Sequence, residues 1–261
     1  MISENFLIGT DPEFFAVDNF TGESRSLIGY IDGTKADPVE IGNGCRRLLD
    51  NVAVEFNVPP SKEYGEILES VKYCVKYTND SLKHNHLKLV YRSSLRFDPL
   101  QLNSEAAREF GCSPSISIYD ERPHKVKLRP EFENLRSAGY HLHFGWEDIP
   151  TEGELKDFIF LCDLFLGIPS LEFDKDEERR KLYGRFGDYR LTSYGVEYRT
   201  LGANMFLHED VIYRGLENIK NNLNNIESIK ADFYAAAKAM ALSNIRTYKQ
   251  ELIDKFKMKR K

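Results

Sequence analysis

Four short segments of the chain alternate apolar side chains with acidic, imidazole or guanidinium side chains. They are residues 10–15, 50–57, 139–145 and 195–201. Alternate side chains of a β-strand point to the same face of its sheet. Each segment therefore gathers its polar groups on one face: Asp11 with Glu13, Asn51 with Glu55 and Asn57, His141 with His143, and Glu197 with Arg199. The apolar side chains between them are expected to pack on the core, which leaves a charged face on the other side.

A half-solvated sheet also carries polar residues on its outer face, and this remains an alternative for any single pair. Such faces usually carry Thr, Lys, Ser and Gln, whereas these segments offer carboxylates, imidazoles and a guanidinium. Two carboxylates ~4 Å apart in a partly buried site repel each other by several kcal/mol at an effective dielectric constant near 20. A cluster of this kind must be protonated, kept apart or occupied by a cation.

The rest of the chain lacks a regular alternation of strands and helices. The pattern indicates strands and turns in the first sixty residues, then a helix over 61–82, a strand at 87–91 and a short helix at 104–110. A further helix starts at the capping box Thr151-x-x-Glu154 and ends at Gly167 and Pro169. An exposed helix or turn follows at 174–182, and the chain is helical after His208. This order predicts an α+β fold built on an antiparallel sheet. We expect a catalytic domain over residues 1–207 and a helical segment over 208–261 packed on it.

The charge and composition exclude several classes of protein. The formal net charge is -5, so the whole surface has no electrostatic reason to bind nucleic acid. No apolar run approaches the ~20 residues that cross a bilayer, and the N-terminus does not resemble an export signal. The four cysteines, Cys45, Cys74, Cys112 and Cys162, have no CxxC spacing and are expected to be reduced thiols. These features predict a soluble, cytoplasmic protein.

The candidate ligands favour a hard divalent cation. Carboxylate oxygens with one imidazole suit Mg²⁺ or Mn²⁺ better than zinc, and the chain has no HExxH helix because Ile212 stands where the second histidine would be. Arg199 beside Glu197 suits a polyphosphate, since a metal bridges its oxygens while the guanidinium binds another. Residues 29–35 lack the spacing of a P-loop, so their glycines are more typical of turns than of a phosphate-binding loop.

The same segments resemble a known family. TDPEFFAVD, DNVAVEFNVPP, LRSAGYHLHFG and YGVEYRTLGAN, in this order between Ile8 and Asn204, are similar to the signature blocks of the phage-type carboxylate-amine ligases, or amidoligases. That family is related to glutamine synthetase and glutamate-cysteine ligase. The resemblance implies a curved antiparallel sheet of the glutamine-synthetase type, with helices on one face, that holds ATP and two or three Mg²⁺ or Mn²⁺ ions.

The resemblance also implies roles for individual residues. The metal ligands are expected to be Asp11, Glu13, Glu55, His141 and Glu197. The nucleotide-binding candidates are Arg199, Arg190, Arg185 and Lys35, and the catalytic candidates are Glu55, Arg199, Arg190 and His143. His143 is expected near the carboxylate substrate or the phosphates, and spacing does not decide between Arg185 and Arg190. Either Asp50 or Glu40 is the third acid of the first metal site.

The implied activity is amide-bond formation driven by ATP, through an acyl phosphate, between a small-molecule or peptide carboxylate and an amine. One alternative is a phosphotransferase resembling the guanidino kinases. Others are a non-catalytic phage protein that binds nucleotide or metal, and a metal-dependent hydrolase. We expect the loops at 98–136 and 172–188 to select the substrates.

Overall fold

The computed structural model describes residues 2–108, 115–120, 123–124 and 130–242, and its mixture of strands and helices confirms the predicted α+β class. The strands are β1 (Leu7–Thr10), β2 (Glu13–Asp18), β3 (Ser24–Arg25), β4 (Val39–Gly42), β5 (Cys45–Asp50), β6 (Ala53–Asn57), β7 (Leu87–Val90), β8 (Ser94–Arg96), β9 (Ser115–Ser117), β10 (Pro123–His124), β11 (Leu135–Ser137), β12 (Leu142–Gly145), β13 (Asp188–Thr192) and β14 (Gly195–Tyr198). The helices are α1 (Tyr64–Leu82), α2 (Glu105–Arg108), α3 (Glu152–Cys162), α4 (Ile168–Ser170), α5 (Glu177–Leu182), α6 (Glu209–Asn222) and α7 (Ile226–Leu242).

The first sheet is antiparallel and has the strand order β1-β12-β14-β13-β9-β10. Phe144 of β12 lies directly opposite Val196 of β14, and both belong to the core that also contains Phe158 of α3 and Ile212 of α6. These apolar positions alternate with His143 and Glu197, as the sequence predicts. One face of the sheet therefore packs on helices, and the other carries the ionisable groups.

The second sheet repeats this arrangement with different helices. Its strand order is β3-β2-β6-β5-β4, and β7 also pairs with β2. Phe14 of β2 and Phe56 of β6 are fully buried in a core with Val71 and Cys74 of α1. The sequence pattern indicates strands and turns in the first sixty residues, but it does not assign the individual strands β4 and β5. Among the described residues, two six-stranded antiparallel sheets thus stand in place of the one predicted sheet, and β8 and β11 form a separate ribbon.

The chain crosses from the first sheet to the second at residues 11 and 12. The prediction of one strand carrying both Asp11 and Glu13 is wrong, because β1 ends at Thr10 and β2 begins at Glu13. Pro12 has no N–H to donate to a strand ladder, which favours a break here. The Glu13 amide donates to the carbonyl of Gly139 at 2.9 Å, so this connection holds the start of β2 beside the chain that leads into β12.

The predicted helix after Thr151 forms with its capping box. The Glu154 amide donates to Thr151 Oγ1 and the Thr151 amide donates to Glu154 Oε2. The helix ends close to the predicted Gly167 and Pro169, because it continues as a π-helical turn over Asp163–Gly167 and then as α4, which ends at Ser170. Gly167 also serves packing: a β-carbon there would collide with the Tyr198 hydroxyl and the Phe186 ring. Pro169 lies in the first turn of α4, where a proline is tolerated.

The segment 174–182 is less exposed than its charge suggests. The Arg179 guanidinium is fully buried and donates to the carbonyls of Thr200 and Leu201, each at 2.8 Å. Buried Arg180 pairs with buried Asp174 at 3.2 Å. The prediction of an exposed segment is therefore wrong, because distant backbone carbonyls and a local carboxylate satisfy these charges.

The helices α6 and α7 pack on the core of the first sheet, through side chains such as Ile219 and Phe233. The division at residue 207 into a catalytic domain and a helical segment stays a prediction. Residues 243–261, Cys112 and part of the helix expected at 104–110 lie outside the described residues. Cys45, Cys74 and Cys162 are free thiols. Within the described part of the chain, no helix combines the length and apolar character needed to span a membrane.

Candidate active site

The first ionisable cluster lies on the uncovered face of the first sheet. His143 of β12, Glu197 of β14 and Arg190 of β13 occupy directly opposite positions on the three neighbouring strands. Glu197 is fully buried, with Oε2 2.5 Å from Arg190 Nε and Oε1 3.2 Å from Arg199 Nε. The antiparallel register therefore fixes an imidazole, a carboxylate and a guanidinium in one row, and Arg199 joins this row from the end of β14.

Asp11 completes this cluster from the connection between the sheets. Its Oδ1 lies 3.3 Å from His141 Nδ1 and 3.1 Å from His143 Nε2, and His141 Nδ1 is 3.5 Å from Glu197 Oε1. Burial opposes ionisation of Asp11, but the two neighbouring imidazoles lower its pKa well below the ordinary range. Burial alone would lower the pKa of His143, whereas the nearby Asp11 carboxylate raises it above its usual value. Asp11 is thus ionised across the neutral pH range.

His141 packs against the backbone of Gly139. A β-carbon on residue 139 would lie 2.2 Å from His141 Nε2, so only glycine leaves room for this imidazole. The Thr10 hydroxyl donates to the carbonyl of His141 at 2.6 Å. The GYH sequence therefore places a nearly fully buried imidazole beside Asp11 and Glu197.

The second cluster belongs to the second sheet. Glu13 of β2 lies opposite Glu55 of β6, and ligand atoms of Glu13, Glu55 and Asp50 all lie within 4.8 Å of one another. The Lys35 ammonium is 2.9 Å from Asp50 and 3.8 Å from Glu55. Burial and repulsion between neighbouring acids raise the pKa of Glu13 to about 7 and that of Glu55 to about 9, although His141 and Lys35 respectively oppose these shifts. In the absence of another cation, this cluster therefore holds protons at neutral pH.

The two clusters border one cavity of about 200 Å³. Its lining consists of Asp11, Glu13, Lys35, Leu48, Asp50, Glu55, Asn57, His141, Arg190, Glu197 and Arg199. Of the site residues predicted from the sequence, His143 and Arg185 are not in this lining, although His143 contacts Asp11. Asp50 lies in the second cluster, whereas Glu40 is exposed and outside the lining. Asn51, predicted to share the face of Glu55, instead bonds to the carbonyl of Ala107.

Tyr183 and Asp188 support Arg199, but neither is among the site residues predicted from the sequence. The Arg199 guanidinium lies over the ring of buried Tyr183, 5.0 Å from its centroid, and its amide donates to the carbonyl of Asp188 at 3.0 Å. Burial raises the pKa of Asp188 to about 6, although Arg185 and Arg199 act in the opposite direction. The β13 pattern carries a weak signal for Asp188, because Asp188 and Arg190 are two residues apart and therefore share one face of the strand. No pattern in the sequence indicates Tyr183.

The donor set suits divalent cations. Five carboxylates line the cavity (Asp11, Glu13, Asp50, Glu55 and Glu197) against three side-chain cations (Lys35, Arg190 and Arg199), so 3 - 5 leaves a charge of -2 when all are ionised and His141 is neutral. Buried Glu197 Oε1 and Oε2, Asp11 Oδ1, His141 Nε2 and His143 Nε2 have no well-aligned hydrogen bond within the described chain, although several of them lie at ion-pair distance from one another or from an arginine. Ligand atoms of Asp11, His143 and Glu197 lie within 4.8 Å of one another, close to the ~4.2 Å that separates opposite ligands of an octahedral Mg²⁺.

A cavity of this composition, between the charged faces of two antiparallel sheets, defines a site for divalent cations and anionic ligands such as phosphates and carboxylates. Residues 134–260 match the family described as "Phage phiEco32-like COOH.NH2 ligase-type 2". This match confirms the resemblance predicted from the sequence and supports a phage-type carboxylate-amine ligase family for the chain. The matched range contains His141, Glu197 and Arg199 but neither Asp11 nor Glu55. A search of curated proteins found no match.

Proposed function

We propose that the protein is an ATP- and Mg²⁺-dependent ligase that joins a carboxylate to an amine through an acyl phosphate. The observation that carries this proposal is the meeting of two acidic clusters and two arginines in one cavity, although their residues are spread from Asp11 to Arg199. The family match supports the ligase class. We also propose that the sheets are related to the sheet of glutamine synthetase.

The two clusters are the proposed metal sites. Asp11 and Glu197, with one imidazole of His141 and His143, would hold one divalent ion, and Glu13, Asp50 and Glu55 would hold a second. Ions bound there would offset the negative charge of the phosphates and of the attacking carboxylate. The closeness of the acids supports this assignment, because a cluster that otherwise requires raised pKa values accepts a cation by releasing protons.

Arg190 and Arg199 would bind the phosphates. Arg199 is buried and fixed by Glu197 and Tyr183, whereas the Arg190 side chain is 41% exposed and reaches the cavity from its open side. In the proposed reaction a carboxylate oxygen attacks the γ-phosphorus and ADP leaves. An amine then attacks the acyl carbon, phosphate leaves and the nitrogen loses a proton. Arg199 would stabilise the transferring phosphoryl group, because guanidinium binds phosphate oxygens in a bidentate manner.

Product analysis of the purified protein tests this proposal. The protein is incubated with ATP, Mg²⁺ and a panel of carboxylates and amines, and we expect ADP, inorganic phosphate and amide in equal amounts with the correct pair. A phosphorylated carboxylate or guanidine as the stable product would establish the phosphotransferase alternative instead. A calorimetric titration in which Mg²⁺-ATP does not bind at all would contradict both.

The matched variants are Glu197→Gln, which removes a charge from the cavity, and Glu152→Gln, which changes an exposed acid of α3. We expect the first to abolish ADP release and the second to leave it unchanged. Circular dichroism spectra of both proteins show whether they remain folded.

A further inference from the structure

Lys35 lies in the second cluster, although it comes from a turn rather than from either sheet. The turn over residues 34–37 closes through two backbone bonds between Thr34 and Asp37, of 3.0 and 3.1 Å. The carbonyl of Gly33 accepts from the amide of Leu49 at 3.1 Å, which ties this turn to β5. Gly33 has a φ of +101°, and a β-carbon there would collide with the carbonyl of Arg47. The backbone is thus anchored while the Lys35 side chain, 51% exposed, reaches the acids.

The Lys35 ammonium lies beside two of the three acids that would hold the second divalent ion. It is 2.9 Å from Asp50 Oδ2 and 3.8 Å from Glu55 Oε2, and ligand atoms of these two acids and Glu13 lie within 4.8 Å of one another. An ammonium is a compact point charge on a flexible stem of four carbons. The Lys35 ammonium and a divalent ion cannot occupy the space between the same carboxylates at the same time, because two positive charges so close together repel each other strongly.

The first cluster has a different kind of counter-charge. Arg199 is buried under Tyr183, and Arg190 forms a short ion pair with Glu197 from the neighbouring strand. Arg190 lies beside Glu197 Oε2, and Arg199 lies beside Oε1, which is also 3.5 Å from His141 Nδ1. Among the described residues, the Asp11 carboxylate pairs with two imidazoles and with no lysine or arginine. A divalent ion can therefore bind Asp11 and an imidazole next to Glu197 without taking the place of a lysine or arginine at Asp11.

We infer that Lys35 is the resident cation of the second acidic cluster and that a divalent ion enters this cluster by displacing its ammonium group. The two ions of the ligase site then load with different affinities, first at Asp11 and Glu197 and second at Glu13, Asp50 and Glu55. This inference rests on the proposed function and adds to it a competition within the chain that regulates metal loading.

Mn²⁺ binding to the purified full chain, without nucleotide, tests the inference. Electron paramagnetic resonance of free Mn²⁺ measures the number of sites and their affinities. We expect the wild-type protein to show one tighter and one weaker site. Lys35→Met should tighten the weaker site at least tenfold and change the tighter site by less than twofold. Lys35→Arg, which keeps the positive charge, should retain the weaker affinity.

Lys62→Met is the matched control, because Lys62 is an exposed lysine outside the cavity lining and its loss should leave both affinities unchanged. Superimposable Mn²⁺ isotherms for Lys35→Met and the wild-type protein would overturn the inference and leave the ligase proposal standing. Weaker binding in Lys35→Met would also overturn it, since Lys35 would then be a support for the site. Absence of Mn²⁺ binding by the folded wild-type protein would overturn both the inference and the metal-dependent ligase.

Discussion

The two acidic clusters face the same cavity but balance their charge by different means. In the first cluster, Glu197 has two arginines and Asp11 has two imidazoles, so the pKa of Asp11 is lowered. In the second cluster, Lys35 is the cation beside Asp50 and Glu55, and burial raises the pKa values of Glu13 and Glu55. The difference teaches that one cluster carries fixed charges, whereas the other holds protons and the Lys35 ammonium, which a divalent ion would replace in the proposed site.

The largest expected effect is that of Glu197→Gln. The substitution leaves Arg190 and Arg199 beside a neutral side chain, and removing one partner of a buried ion pair costs about 3–5 kcal/mol. We therefore expect a fall of this size in the free energy of unfolding, measured by urea denaturation in metal-free buffer, together with loss of ADP release. A variant as stable as the wild-type protein would contradict the view that the first cluster depends on its fixed charge.

The pH dependence of stability separates the two clusters. Glu13 and Glu55 have pKa values of about 7 and about 9 in the folded chain, both above the ordinary value of 4.5. The folded chain therefore binds more protons than the unfolded chain between these limits, and its stability falls as pH rises from about 5 to about 9. We expect the melting temperature in EDTA to decrease over this window.

Saturating Mn²⁺ is expected to reduce this decrease, because the ion stabilises the ionised carboxylates. Burial also raises the pKa of Asp163 to about 7 despite hydrogen bonds from Tyr198 and Tyr119, so Asp163 contributes to the lower part of the same window. The interval from pH 7 to 9 therefore reports on Glu55 together with His143, whose pKa is also raised above its usual value. A melting temperature that rises through this interval in EDTA would show that the second cluster is not protonated.

Tyr194→Phe should weaken only the first cluster. The Tyr194 hydroxyl lies 2.6 Å from His143 Nδ1, and His143 Nε2 lies 3.1 Å from Asp11 Oδ1, so the hydroxyl orients the imidazole that orients Asp11. Loss of such a supporting hydrogen bond typically costs about 10–100-fold in metal affinity. We expect the tighter Mn²⁺ site to weaken by about tenfold and the weaker site to keep its affinity.

Tyr30→Phe is the control for this variant, because Tyr30 is an exposed tyrosine away from the lining of this cavity. Equal weakening of both Mn²⁺ sites in Tyr194→Phe would indicate a general loss of structure instead of a local effect on Asp11.

The sequence predicts the face of each strand better than the path between strands. The rule that alternate residues of a strand share a face correctly places Glu197 and Arg199 on the charged face and correctly buries Phe14 and Phe56. The rule fails at Asp11, because Pro12 interrupts the strand, and Asp11 and Glu13 join different clusters. Local alternation contains no information on such a change of sheet.

The choice between Asp50 and Glu40 shows a second limit. Both acids lie on the hairpin of β4 and β5, whose turn uses positive φ angles at Gly42, Asn43 and Gly44. Which acid reaches the cavity depends on the register of this hairpin with β6, where Leu48 lies opposite Glu55. That register is a contact between strands and cannot be derived from the pattern of either strand alone. Lys35, which comes from a turn, depends on the same packing.

The smallest expected effect on stability is that of Glu55→Gln, and it gives the sharpest contrast with Glu197→Gln. Because the pKa of Glu55 is about 9 in the metal-free chain, its carboxyl is protonated at pH 7, and glutamine has the same shape and charge as this form. We expect the free energy of unfolding in EDTA at pH 7 to change by less than about 1 kcal/mol, in the range of substitutions that remove no buried partner. The decrease of the melting temperature between pH 7 and 9 should also become smaller, because only His143 still contributes to it. The weaker Mn²⁺ site should nevertheless disappear, since the amide cannot replace the carboxylate as a charged ligand.

A large loss of stability in this variant, equal to that of Glu197→Gln, would mean that both clusters are held together by fixed charge and that the second cluster does not exchange protons for metal.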